Sequence, residues 1–279
     1  MVRYVLRSVR ITFDLMEKIK QLREKTGAGI VDCKNALQEA DNDMDKAVEI
    51  LRKKGIAKAY KRSDKEANEG VIKVDTNDDH TRGYILEVNS ETDFVAKNQD
   101  FQDFANKVLE LIKQKEPADL EELKSLEMDK GTVQEELDNL SGVIKEKMTL
   151  GKFEILEGAT VGAYSHMGGK IGVLVSLDQA GQKDLATDVA MHIAASNPKY
   201  IKPEDVPQEE VDKEKDVYRE ELKQEGKPEE IIEKILEGKI NKYYEEICLN
   251  KQEFIKEEKK KVEEILGEAK VEKFLRYSL

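Results

Sequence analysis

The sequence repeats a pattern of two short strands followed by an amphipathic helix, and this repeat limits the folds that the chain can adopt. In the first copy, strands are predicted at 71–74 and 83–88. In the second copy they are predicted near 160–164 and at 172–177. The helices that follow carry apolar stripes on Phe101, Phe104, Ala105, Val108 and Ile112, and on Leu185, Ala186, Val189, Ala190 and Ile193. This pattern predicts an α+β protein with two related subdomains, each of one antiparallel hairpin and one helix.

The first copy contains about eight residues that the second copy lacks. Gly83 and Phe104 are 21 positions apart, whereas Gly172 and Leu185 are 13 positions apart. The additional residues are 90–98, between the second strand and the helix. Because the second copy closes without such a segment, residues 90–98 are a candidate for function rather than for folding.

Phe94 and Val95 are apolar residues of this segment that fall outside the stripe of the following helix. Two interpretations fit them. Either they form an exposed aromatic anchor for a protein partner, or they tuck under their own helix as a hydrophobic staple.

Residues 12–55 are predicted to form a module of three short helices. A Thr-Gly-Ala-Gly sequence at 26–29 separates the first two, and the third is expected to stop before Gly55. Ile30 and Val31 open the second helix and, as neighbours, point about 100° apart, so they cannot both face the core. One of them is expected to be exposed at the helix start. From the sequence, a staple against the preceding helix is favoured over a partner contact.

Residues 203–248 are predicted to form an inserted antiparallel hairpin of two charged helices around a Gly-Lys-Pro turn. Self-packing, dimerisation and partner binding all fit this hairpin. Before it, a capping box of Thr132 and Glu135 predicts a helix whose stripe runs to Met148. The predicted domains are a leader (1–11), the three-helix module (12–55), a first core subdomain (56–152), a second core subdomain (153–202 and 249–279) and the helical hairpin (203–248).

Charge and residue spacing argue against several classes of function. Residues 1–65 carry 16 basic and 10 acidic side chains, a balance of +6, whereas the remainder carries −18. This acidic body argues against binding nucleic acid by phosphate neutralisation, although the basic stretch within 52–65 fits either an RNA contact or a solvated linker. No apolar run is long enough to span a membrane. The two cysteines lie far apart in the sequence and fit a reducing cytoplasm. Neither they nor the three scattered histidines have the spacing of a zinc site.

No catalytic motif is recognisable. The chain has no P-loop and no GxSxG motif, and its glycine-rich stretch at 168–172 lies inside a predicted hairpin rather than before a helix. We therefore expect a cytoplasmic binding protein that needs no metal or cofactor and has no catalytic chemistry of its own.

Three segments resemble sequences of the elongation factor Ts family. The first spans 22–37 and includes the Thr-Gly-Ala-Gly sequence, the second is Thr-Asp-Phe-Val-Ala-Lys-Asn at 92–98, and the third spans 191–204. They occur in the family's order and cover nearly the whole chain. The resemblance implies a UBA-like N-terminal module and a guanine nucleotide exchange factor that acts on elongation factor Tu.

The resemblance also implies roles for individual residues. In the family, the Asp-Phe pair of the second segment enters near the Mg²⁺ site of the GTPase, so Asp93 and Phe94 inherit that role, with Thr92 and Val95 beside them. Further contacts with elongation factor Tu are implied for Ile30 and Val31, for the turn at His166 and for Ile255. The helical hairpin is also compatible with a homodimer or with a 2:2 complex with elongation factor Tu. The family's Gly-Glu-Asn is replaced by Lys-Glu-Lys at 145–147, which leaves a contact from 143–152 open as well.

Two other classes of protein are alternatives. An adaptor would use the three-helix module to bind ubiquitin-like or ribosomal partners, because such small modules are general binding units. A hydrolase would need converging carboxylates, which the sequence does not indicate.

Overall fold

The computed structural model describes residues 15–26, 28–60 and 65–279 of the chain. The predicted leader and residues 61–64 of the basic linker lie outside the described residues. The chain divides into two compact units, which are described separately. The first is formed by Met1–Val71 and Glu87–Lys152, and the second by Ile72–Leu86 and Phe153–Leu279.

The described elements are runs of helices and runs of strands, as expected of an α+β protein. In chain order they are α1 (15–26), α2 (Ile30–Glu39), α3 (Met44–Tyr60), β1 (Glu69–Thr76), β2 (Arg82–Ser90), α4 (Asp93–Ala96), α5 (Gln99–Lys115), α6 (Leu120–Ser125), α7 (Val133–Ile144), β3 (Met148–Glu157), β4 (Thr160–His166), β5 (Ile171–Leu177), α8 (Lys183–Ser196), α9 (Gln208–Gln224), α10 (Glu229–Ile247), α11 (Val262–Leu266) and β6 (Val271–Ser278). Two three-stranded sheets have the orders β1-β2-β3 and β4-β5-β6.

In the first unit, α1, α2 and α3 enclose a small core centred on Leu22, Cys33 and Leu37, all fully buried. Helix α5 buries its entire predicted stripe, so that prediction is confirmed. The Asn98 side chain accepts hydrogen bonds from two backbone N–H groups at the start of α5, and Glu116 ends the helix in a left-handed conformation (φ 47°).

In the second unit, β5 is the central strand of an antiparallel sheet. Thr160 pairs with Leu177 on one side, and Gly172 pairs with Tyr277 on the other. Helix α8 covers this sheet and shares a core with β5, α11 and β6. Helices α9 and α10 form the predicted hairpin, and a cluster of apolar and tyrosine side chains closes its base.

Two boundary predictions were wrong. Helix α3 does not stop before Gly55 but runs to Tyr60, because Gly55 faces α7 and its missing side chain permits close packing. Helix α7 begins at the predicted capping box of Thr132 and Glu135, which is confirmed. It ends at Ile144, since Lys145 adopts a left-handed conformation (φ 67°), and Met148 lies in β3, a strand that helical periodicity concealed.

Candidate partner-binding site

Several large hydrophobic side chains lie on the surface of the described chain. They are Met16, Ile30, Val31, Phe94, Met167, Val217, Ile231 and Ile255. Exposed apolar groups give no free energy to folding and are typical anchors of protein interfaces. Four of these residues were singled out from the sequence: Ile30, Val31, Phe94 and Ile255.

Phe94 has the most exposed of these side chains, at 80%, whereas its neighbour Val95 is only 6% exposed. Both lie on α4, a single helical turn between β2 and α5. Each of the two interpretations, exposed anchor and buried staple, therefore holds for one of the two residues. Val95 is buried as a staple would be, and it holds the turn in place while Phe94 projects into solvent.

The start of α4 is capped by Thr92, whose Oγ1 accepts a hydrogen bond from Val95 N at 3.5 Å. The same hydroxyl donates to the Glu146 carboxylate, at 2.9 Å from Oε2 and 3.1 Å from Oε1. Thr92 is thus half-buried inside a polar network, and it acts as a support for Phe94.

Asp93 and Lys97 form an ion pair along α4, with 2.7 Å between Oδ2 and Nζ. The Asp93 carboxylate raises the pKa of Lys97 by hydrogen bonding and by charge. Lys97 is largely solvated and Asp93 is half-buried, so this exposed pair orients the Asp93 carboxylate more than it stabilises the fold.

Ile30 and Val31 lie in the first turn of α2, where they are 58% and 69% exposed. Cys33, Ala36 and Leu37 supply the buried face of the helix. The staple favoured from the sequence is therefore wrong: both apolar side chains face solvent, because the core stripe begins only at Cys33.

In the second unit, His166 lies at the exposed end of β4, where its Nδ1 is 3.1 Å from the Tyr164 hydroxyl and the two rings stack at 5.8 Å. Met167 follows it in a left-handed conformation (φ 51°) and is also exposed. Sequence reasoning missed Met167, although an apolar residue in a glycine-rich turn was a usable signal.

Ile255 is 44% exposed beside the buried ring of Phe254. Its backbone N–H donates to Nδ1 of His192 at 3.4 Å, and His192 itself is fully buried. Ile255 therefore exposes its side chain, while a hydrogen bond to the buried His192 fixes its backbone.

The described residues contain no cluster of three or more His, Cys, Asp or Glu side chains that could hold a metal ion. Burial raises the pKa of the Cys33 thiol, and it raises that of Cys248 to about 11. Both thiols are therefore protonated at neutral pH, which makes them poor nucleophiles and poor metal ligands. Within the same described ranges, none of the helices combines the length and the apolar character needed to cross a bilayer.

Exposed apolar side chains on well-supported segments define a class of protein that acts through contacts with other macromolecules. Comparison with known proteins makes this more specific. A family model described as Elongation factor TS matches residues 91–279. A protein named Elongation factor Ts from a Nitratiruptor species is 47% identical, over 94% of this chain and 92% of its own length. The chain belongs to the elongation factor Ts family, and so to the translation elongation factors of protein biosynthesis. The resemblance recognised in the three segments is confirmed.

Proposed function

We propose that this protein binds elongation factor Tu in the cytoplasm and promotes exchange of GDP for GTP by inserting Asp93 and Phe94 near the Mg²⁺ site of the GTPase. The observation that carries this proposal is the 80% exposure of Phe94 on a helical turn that Val95 and Thr92 hold in place. A large aromatic ring kept in water has no folding role, and it can displace packed groups in a partner.

The mechanism needs no catalytic group on this chain. A ring wedged beside a metal site moves the groups that orient the metal ligands, and so weakens the hold on the metal and the phosphates. Coupling is reciprocal: if the protein weakens GDP binding, then GDP weakens binding of the protein by the same factor. No preference for GTP is required, because the nucleotide concentrations set the direction.

The other predicted contacts extend the interface beyond α4. Ile30 and Val31 are proposed to contact the GTPase domain of elongation factor Tu, His166 its third domain, and Ile255 the body of the partner. All four have exposed side chains, which is the property such contacts need. Val95 and Thr92 are proposed to act from within, by fixing the position of Phe94.

We also propose the domain organisation predicted from the sequence. The UBA-like module spans 12–55, with α3 continuing past it to Tyr60, and 56–152 and 153–202 with 249–279 form the two core subdomains. The hairpin α9–α10 within 203–248 is a further element through which a homodimer or a 2:2 complex with elongation factor Tu would form.

The test is the release of a fluorescent GDP from elongation factor Tu. The protein is expected to accelerate release well above the spontaneous rate, and Phe94→Ala is expected to remove most of this acceleration. Met16→Ala, at another exposed apolar side chain on α1, serves as the matched control and is expected to behave like the wild type. Full activity of folded Phe94→Ala would refute the wedge, and the absence of any acceleration by the wild type would refute exchange itself.

A further inference from the structure

We propose that Glu146 is a positioning residue for Phe94, acting through Thr92, and this inference rests on the proposed function of the α4 segment. Sequence comparison left residues 143–152 without a role. In the structure, Glu146 is half-buried, follows the end of α7, and directs its carboxylate to the residue that caps α4.

The Thr92 hydroxyl has two roles at once. It donates its proton to the Glu146 carboxylate, with both carboxylate oxygens within 3.1 Å, and its oxygen accepts from Val95 N. A hydroxyl that donates to an anion becomes a better acceptor, because hydrogen bonds in a chain polarise one another.

A second set of contacts runs in the opposite direction. The Glu91 side chain accepts a hydrogen bond from Lys147 N at 2.6 Å. The backbone of Glu146 is itself fixed, since Ser141 Oγ donates to Glu146 O at 2.6 Å. The Glu146 side chain thus bonds to Thr92, and the Glu91 side chain bonds to the backbone of Lys147. We call these contacts between 91–92 and 146–147 the 91/146 clamp.

The clamp matters because α4 is too short to be stable alone. One helical turn fixes several backbone angles for a single hydrogen bond, so an isolated turn is unfavourable. Phe94 contributes little burial to offset that cost. Its ordering therefore depends on Val95 beneath the turn and on the 91/146 clamp at its start. A segment ordered before binding avoids an entropic cost on association.

The experiment compares Glu146→Ala with Glu146→Gln, which keeps one acceptor oxygen for the Thr92 hydroxyl. Glu146→Ala is expected to lower kcat/KM for nucleotide exchange about tenfold, and Glu146→Gln only about twofold to threefold. Thr92→Ser should keep near-normal exchange, and Thr92→Val should resemble Glu146→Ala. Glu110→Ala, which removes an exposed pair with Lys113 on α5, is the control and should leave exchange unchanged.

A double-mutant cycle separates positioning from general stability. If Glu146 acts through Phe94, Glu146→Ala should cost little further activity once Phe94 is alanine. Equal losses in both backgrounds would overturn the proposal, as would normal exchange by Glu146→Ala.

Amide hydrogen exchange of the free protein gives a readout that does not involve elongation factor Tu. Glu146→Ala should speed amide exchange at Val95 and Ala96, whereas unchanged protection there would overturn the clamp. If Phe94→Ala exchanged nucleotide normally, the proposed function would fail instead, and the amide protection alone would decide whether Glu146 holds the segment.

Discussion

His192 holds the backbone of Ile255: the Ile255 N–H donates to His192 Nδ1 at 3.4 Å, while His192 Nε2 lies 3.0 Å from Gln252 Oε1. For Nδ1 to accept, the proton of a neutral imidazole must be on Nε2, which then donates to Gln252. The Phe254 ring packs at 5.7 Å from the imidazole. A buried, neutral histidine therefore fixes the segment that exposes Ile255.

This arrangement predicts a loss of stability at mildly acidic pH. Burial lowers the pKa of His192 below its ordinary 6.5, so the unfolded chain binds a proton more readily than the folded one. The stability is present above about pH 6.5 and falls by up to about 1.4 kcal/mol per pH unit until the folded pKa is reached. Chemical denaturation between pH 7.5 and 5 should show this slope. It should flatten in His192→Gln but not in His166→Gln, and an unchanged slope in His192→Gln would contradict the assignment.

Gly142 is predicted to tolerate no side chain. A Cβ built there would lie 2.5 Å from Gly55 Cα, and backbone cannot move aside as a flexible side chain can. Gly142→Ala should therefore lower the free energy of unfolding by about 1–3 kcal/mol. The control is Gly238→Ala on α10, where nothing lies within 4 Å and helix propensity favours alanine by about 0.5–1 kcal/mol. Equal stability of the two variants in urea would refute close packing of α3 on α7.

Phe94 and Val95 should separate activity from stability. Val95→Ala removes buried methyl groups and should cost about 1–2 kcal/mol of unfolding free energy. Phe94→Ala alters an exposed side chain and should change the unfolding free energy by less than about 0.5 kcal/mol. Thermal or urea unfolding checks both values. A large destabilisation by Phe94→Ala would mean that the ring packs against the fold.

Ile30 and Val31 should affect partner binding without affecting the fold. Replacing either by serine leaves the core face of α2 intact, so the melting temperature should stay within about 2 °C. Affinity for elongation factor Tu should fall about fivefold to tenfold for each, measured by calorimetry. The control is Met16→Ser. Met16 is exposed on α1 and lies outside the three segments that resemble the elongation factor Ts family. Wild-type affinity in both Ile30→Ser and Val31→Ser would remove α2 from the interface.

Much of the secondary structure was predictable because its causes are local. The stripe of α5, the capping box of α7 and the glycine turn between β4 and β5 each depend on residues a few positions apart. Errors arose where a distant segment decided the outcome. Glycine often ends a helix, but Gly55 lies against Gly142 of α7, and α3 continues past it. Met148 continued a helical spacing, but Lys145 had already ended α7 and β3 paired with β2.

For the candidate site, sequence patterns alone indicated which segment carries the contact: residues 90–98 are extra relative to the repeat and carry an aromatic residue without a place in the helix stripe. It could not say which of Phe94 and Val95 faces solvent, nor that Glu146 supports them. The contacts of Glu146 with Thr92 and of Lys147 with Glu91 join residues more than 50 positions apart. Local spacing sets backbone preferences, whereas burial and hydrogen-bond partners are decided only when distant segments pack together, and only the tertiary structure contains that information.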